Sequence, residues 1–433
     1  MATAIEATQL KSPEWESSAF ARPARNIRWV LFTAMSLSSA AVIGMATVNA
    51  ILGAQLGGSP AWAGVPSATI LVGSALASPA WGYFSERRGR RAGLAAGLVL
   101  GAVGAALAGS AFMLRSLTGF LGGLLLIGVS GAAVNLSRFA AGDVHPPALR
   151  ARAISTVVLG GAVGSILGVV LVAPSGTAAV GAGIDELVGP YGSSMLLFGM
   201  ATIVTILLLR PEPRDLGRQV AVAFQTETVR LGPPRPIGMI LRGRAPLLAV
   251  SAMMFGQVVM VMVMVMTSLH MREHEHPLAS ISLVIGSHTF GMYAFSVFSG
   301  RLADRWGRTP VIAIGAATLT LACLAAPFSP DVVPLAVALF LLGFGWNFCY
   351  VGGSTLLADQ LTPAERARSQ GFNDLMVGLA SAAGSLASGL VFDAVGFVWM
   401  GWVGAALALV PLLQALRRGR LAAHSRLAGA APG

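Results

Sequence analysis

The sequence predicts an all-α polytopic membrane protein of twelve transmembrane helices in two six-helix pseudo-repeats. Composition is the first sign: of 433 residues, 55% are hydrophobic and 11% charged, against about a quarter charged in a soluble domain. Mean hydropathy is +0.74. Apolar runs close to the roughly 20 residues needed to cross a bilayer recur along the whole chain. Arginines gather in alternate loops, and two loop motifs return at half the chain length.

Taken in order, residues 1–28 are a polar, basic tail with no apolar signal-peptide core. Spans are expected at 29–53, 61–83, 91–113, 116–141, 152–174 and 190–210, forming a first half at 29–210. Residues 211–243, with PEPRDLGRQ and GPPRP, read as a linker. Further spans at 244–268, 279–303, 309–328, 332–358, 369–391 and 396–416 form a second half at 244–417. A tail at 418–433 follows. The 53 glycines suit helices that approach closely through small residues.

The net charge of +11 is a topology signal, with the lipid bilayer rather than nucleic acid as partner. Almost all of the arginines lie in the terminal segments or at 87–91, 150–152, 210–244, 301–308 and 366–368, while the opposite loops hold only Arg115 and Arg272. The positive-inside rule makes both termini and the linker cytoplasmic, which for a bacterial chain means the inner membrane. Lys11 is the sole lysine, so no phosphate-binding P-loop exists. Neither HExxH nor GxSxG occurs, and no enzyme or prosthetic group is expected. Cys323 and Cys349 stand far apart, without a CxxC motif.

The first repeated loop runs from Gly82 through Glu86, Gly89 and Arg90. It returns 218 positions later as Gly300, Asp304, Gly307 and Arg308. The second runs from Asp143 through Pro147 and Arg150 to Arg152, and returns 216 positions later from Asp359 through Pro363 and Arg366 to Arg368. Nearly equal shifts indicate two halves of one orientation. Gly300 to Arg308 matches G-x-L-A-D-R-x-G-R, and here the chain resembles the major facilitator superfamily. The first copy departs from it, with Phe84 for Leu and Glu86 for Asp. The resemblance implies that the loop glycines permit a tight turn. It also implies that Glu86, Arg90, Asp304 and Arg308 hold the cytoplasmic side shut during part of an alternating-access cycle.

None of the 18 acidic residues is expected near mid-bilayer, Asp374 coming closest at about one turn into its span. That weighs against a proton-coupled exporter of cationic drugs. Asn135, Arg138, Gln257 and Asn347 are polar intramembrane groups, each suited to interhelical bonding or to substrate contact. Six of the 17 methionines fall between Met253 and Met266. Met260 and Met264 share a helix face with Gln257, whereas Met262 and Met266 lie roughly opposite and are expected to face lipid or packing. One span later His288 and Met292 share a face at i and i+4. At about 1.5 Å per residue, Met264, Met260, His288 and Met292 descend at about 6, 12, 14 and 20 Å from the periplasmic end. Thioether and imidazole suit copper, above all Cu(I), although a methionine stripe by itself is more often core packing.

MxxxM followed by HxxxM resembles the CcoA-type copper importers of that superfamily. The resemblance implies that Met260, Met264, His288 and Met292 carry copper, as transported substrate, from periplasm to cytoplasm for cytochrome oxidase assembly of the cbb3 type. A cytoplasmic copper chaperone would be a partner. His270, Met271, His274 and His276 offer a metal-collecting loop before that path, or a solvated charged loop. The alternatives are an organic-solute facilitator, such as a riboflavin-type importer or a drug or metabolite exporter, and a non-transporting assembly factor.

Overall fold

The computed structural model describes residues 15–224, 235–361 and 363–428. Lys11, the centre of the predicted linker and the last five residues fall outside these, as do the side chains of Arg366 and Arg368. The described residues are helical throughout, without a strand. Each predicted span falls on a helix. The first six are α1 (Ala21–Gly57), α2 (Val65–Arg88), α3 (Arg90–Met113), α4 (Leu117–Asp143), α5 (Pro147–Gly181) and α6 (Gly189–Leu208). A linker helix, Pro213–Ala223, follows. Then come α7 (Arg244–Glu273), α8 (Leu278–Tyr293), α9 (Arg308–Ala325), α10 (Val332–Ala358) and α11 (Pro363–Ala428).

Ten helices are each long and apolar enough to cross a membrane. An eleventh span joins α8 to its continuation Ser296–Trp306 across a 40° bend. The twelfth arises because α11 leaves helical geometry at Gly396, whose φ is 76°, between the two spans expected there. Both repeated loops carry the same backbone device. Gly89 has φ 96° and ψ 158°, Gly307 has φ 90° and ψ 161°, and each N-caps the next helix. A side chain is strained at such angles, so the turn requires glycine. Gly82 and Gly300 are helical instead, and a Cβ on either would meet nothing. The tight turn expected of the loop glycines therefore rests on Gly89 and Gly307.

The helices form two compact units, residues 1–46 with 72–229, and 47–71 with 230–433. In the first, Gly160, Gly164 and Gly168 of α5 form a stripe against α1. Their Cβ atoms would lie 2.6, 1.9 and 2.4 Å from the carbonyl oxygens of Phe32, Ser36 and Ala40. Contact this close needs glycine, and the four-residue repeat of small residues is how helices associate where lipid gives no hydrophobic drive. In the second unit the turn between α1 and α2 seats on α11. Ser385 Oγ donates to Gly64 O at 2.8 Å, and Ser59 Oγ to Asp393 Oδ1 at 3.2 Å. These contacts place residues 47–71 in the second unit rather than with the first half of the chain.

Candidate substrate site and loop network

Gln257 ties three helices of the second unit together. Trp346 Nε1 donates to its Oε1 at 2.7 Å, and its Nε2 donates to Ser381 Oγ at 2.9 Å. Gln257 is half-buried, and an amide in an apolar bundle needs such partners, so the two bonds fix the rotation of α7 against α10 and α11. Met260 is buried beside it and Met264 is partly exposed. Met262 and Met266 are 2% and 0% exposed. They are core packing and not lipid-facing, because α7 is surrounded on nearly all sides.

His288 is fully buried. Its Nδ1 lies 3.0 Å from Leu339 O. A carbonyl only accepts, so Nδ1 carries the hydrogen. The neutral ring then presents Nε2 as a bare lone pair, and that atom has no hydrogen-bond partner among the described residues. Metal-ligating histidines have this arrangement, one nitrogen donating to a carbonyl and the other left free. Gly343 allows the approach: its Cβ would lie 2.2 Å from His288 O.

Helix α10 works as a ruler for depth. Gly256 packs beside Cys349 and Met253 beside Gly353, so α7 runs antiparallel to it. Continued, that register puts Met260 level with positions 345–346 and Met264 with 341–342. His288 sits between Leu339 and Gly343, and Met292 between Gly343 and Asn347. By backbone depth Met264 matches His288 and Met260 matches Met292. The arrangement is two rungs rather than four separate steps.

Other sequence candidates fall elsewhere. Asn347 is a staple: its Nδ2 donates to Met292 O at 2.7 Å and to Ser296 Oγ at 2.8 Å, and its Oδ1 accepts from Ser299 Oγ at 2.7 Å. It closes the break between α8 and its continuation. Asn135 is exposed on α4. Arg138 stacks its guanidinium 4.9 Å from the centre of the Phe139 ring. Cys323 and Cys349 are buried free thiols.

The groups of the expected metal-collecting loop lie around the end of α7. His270 stacks on Phe397, with ring centres 4.2 Å apart and planes at 11°. His274 Nδ1 donates to His270 O at 2.8 Å, and His276 Nε2 to Pro330 O at 2.9 Å. Met271 is buried. The His270 and His274 rings lie side by side, with centres 4.4 Å apart and planes at 60°. Among the described residues no three His, Cys, Asp or Glu side chains are grouped to hold a metal ion.

On the arginine-rich side the repeat gains a partner that the sequence reading passed over. Arg90 pairs with Asp143 at 3.1 Å, and Arg308 with Asp359 at 2.9 Å. The first residue of one repeated loop motif thus binds the arginine of the other, in both halves. The matched offsets of the two motifs were the available signal. Arg308 also reaches Asp304 at 3.3 Å. Each pair is partly solvated and contributes at most about 1 kcal/mol. Glu212 accepts from the backbone N–H groups of Arg90, Arg91 and Arg214, so one carboxylate caps both α3 and the linker helix. At the linker's other end Arg235 donates to the buried Glu365 through Nε at 2.7 Å and Nη2 at 2.9 Å.

His145, in the turn after α4, is 3% exposed, and its Nδ1 donates to Ala141 O at 2.8 Å. Burial lowers its pKa below 6.5, and the Arg28 charge lowers it further, against the raising effect of the Ala141 bond. The unfolded chain therefore takes up this proton first as pH falls. Stability is full above about pH 6.5 and declines as pH drops towards the lowered folded value. Thermal melts of purified protein should show that decline between neutral and mildly acid pH. His145→Phe should flatten it; an unaltered slope in the variant would assign it to other groups.

Comparison with known proteins follows the same lines. The chain matches the family model described as Major Facilitator Superfamily over residues 29–277 and 247–431. It is 33% identical to the uncharacterized MFS-type transporter YdeG of Bacillus subtilis, covering 94% of each chain. It is 29% identical to the riboflavin transporter RfnT of Brucella anthropi, covering 90% of this chain and 95% of that one. Among solved structures the nucleoside transporter NupG superposes with a TM-score of 0.69 at 16% identity, over 90% of this chain and 98% of that one. A D-xylose–proton symporter gives 0.68 at 17% identity, over 91% and 96%.

Proposed function

The chain belongs to the Major Facilitator Superfamily and is a multi-pass membrane transporter, not an enzyme; from that premise we propose that its substrate is copper, imported by alternating access. The observation that carries this reading is His288. Its Nδ1–H is committed to Leu339 O, while Nε2 is buried without a hydrogen-bond partner among the described residues. An uncompensated lone pair inside a membrane protein costs stability unless a ligand uses it during the cycle. Met264 is level with His288 and Met260 with Met292 in backbone depth, which supports thioethers as the further ligands. Neutral sulfur and imidazole ligands favour Cu(I) and suit hard cations poorly. The proposed setting is a bacterial inner membrane with delivery for cbb3-type oxidase assembly, a cytoplasmic copper chaperone receiving the ion.

A second reading rests on two observations of its own. One relative of nearly full coverage is named a riboflavin transporter. The bonded Trp346–Gln257–Ser381 set would also suit a planar organic solute.

Accumulation of radiocopper and of labelled riboflavin, in cells expressing wild type, Met264→Leu, His288→Ala and Trp346→Leu, separates the two. Copper import predicts that wild type concentrates copper. Met264→Leu, which keeps volume but loses sulfur, and His288→Ala should each cut the initial rate roughly tenfold or more. Unchanged copper uptake in both, with riboflavin uptake lost in Trp346→Leu, would give the site to the organic solute.

A further inference from the structure

The first unit holds a cavity of about 540 Å³ on its arginine-rich side, apart from the methionines and His288. Three separate elements each send arginine into it: Arg90 from the start of α3, Arg150 from the start of α5, and Arg214 with Arg218 from the linker helix. Two carboxylates also line it, Glu86 and Asp143. Asp143 is already paired with Arg90. Four guanidinium groups against two carboxylates leave the lining net positive.

The remaining arginines are poorly neutralised. Arg150 is held by Nε on His145 O at 3.2 Å, and its terminal amino groups have no partner among the described residues. Arg214 donates to the carbonyl oxygens of Glu86 and Arg87 and pairs with Asp215, which is half exposed. Arg218 has neither an ion pair nor a hydrogen bond among the described residues. Arg214 and Arg218 lie four residues apart, on one face of the linker helix. The buried Leu216, Gly217 and Val220 anchor that helix. Phe139 and Ile154 give the cavity an apolar wall at the ends of two spans. The positive-inside rule accounts for arginines in these loops. It does not account for three elements directing them into one concave site with an apolar side.

We propose that this cavity binds a phosphate-bearing anion, with Arg150, Arg214 and Arg218 as its ligands. Guanidinium forks match phosphate oxygens in paired hydrogen bonds. Basic pockets between helix ends at a membrane surface have the chemistry that takes up anionic lipid headgroups. The same chemistry would accept a free phosphorylated solute. Occupancy links the linker helix to α3 and α5, beside the Gly89 turn.

The test measures binding to full-length purified protein in neutral detergent. The probes are phosphatidylglycerol, phosphatidylcholine and inorganic pyrophosphate. The variants are Arg218→Gln, the double variant Arg150→Gln/Arg218→Gln, and the charge-matched control Arg417→Gln/Arg418→Gln. Wild type should bind phosphatidylglycerol in preference to phosphatidylcholine. Affinity should fall about fivefold per arginine removed, roughly thirtyfold for the double variant, while the control stays near wild type. The same pattern with pyrophosphate in place of phosphatidylglycerol also supports the site and identifies a soluble ligand. Arg218→Gln removes no bond among the described residues, so its result stands even if the double variant folds poorly. Equal weakening in the pocket variants and the control, or no preference for either anion over phosphatidylcholine, overturns the proposal.

Discussion

Gly64→Val is expected to unseat the turn between α1 and α2 and to abolish recovery of folded protein. A Cβ at this position would lie 1.6 Å from Ser385 O and 2.6 Å from its carbonyl carbon. The obstruction is helix backbone, which has no rotamer to escape into. Ordinary overpacking costs about 1–3 kcal/mol because side chains give way. Here the turn must move instead, with loss of the Ser385–Gly64 and Ser59–Asp393 bonds. Gly389 across the contact reinforces the case, its Cβ falling 2.4 Å from Ala61 O. Even Gly64→Ala should lower the melting temperature. Gly82→Ala and Gly300→Ala, which meet nothing, should be neutral or slightly stabilising by the ordinary helix preference for alanine over glycine. Monodisperse yield on size exclusion, with thermal melts, checks the set. Wild-type behaviour of Gly64→Val would show that the turn does not dock as described.

The second large effect is expected at Asn347. Replacing it with leucine preserves approximate volume but removes three hydrogen bonds, to Met292 O, Ser296 Oγ and Ser299 Oγ. At about 0.6 kcal/mol for an average interhelical bond in a membrane, the loss is about 2 kcal/mol. The true figure should lie above that, because the bend frees the Met292 carbonyl from regular helix bonding and leaves Asn347 to satisfy it. The change should therefore lower the melting temperature and loosen the α8 bend, four residues beyond His288. Hydrogen exchange at residues 290–299 reports the second effect. Protection there equal to wild type would mean that the bend is held by packing alone.

The sequence and the structure divide the protein along a physical line. Apolar run length is a local property, so all twelve spans were legible before any coordinates, as were the half-length repeat and the arginine-rich side. The resemblance implied a tight turn at the loop glycines, and the structure narrows it to Gly89 and Gly307, where positive φ leaves glycine as the residue that fits. Gln257 on the inner face of α7 followed from helical periodicity and the cost of burying an amide.

What the sequence did not carry was which surfaces meet. For Met262 and Met266 the period of α7 left lipid and packing both open, and only the neighbouring helices decided for packing. The rings of His270 and His274 stay together as their spacing suggests, whereas the stacking of His270 on Phe397 and the bond of His276 to Pro330 join residues distant along the chain. The Asp143 and Asp359 partners, the Glu212 cap and the four-arginine cavity each join residues distant along the chain. Hydrophobicity and period are written residue by residue. The free Nε2 of His288 depends on which carbonyl Nδ1 meets, and that was decided when α8 packed against α10.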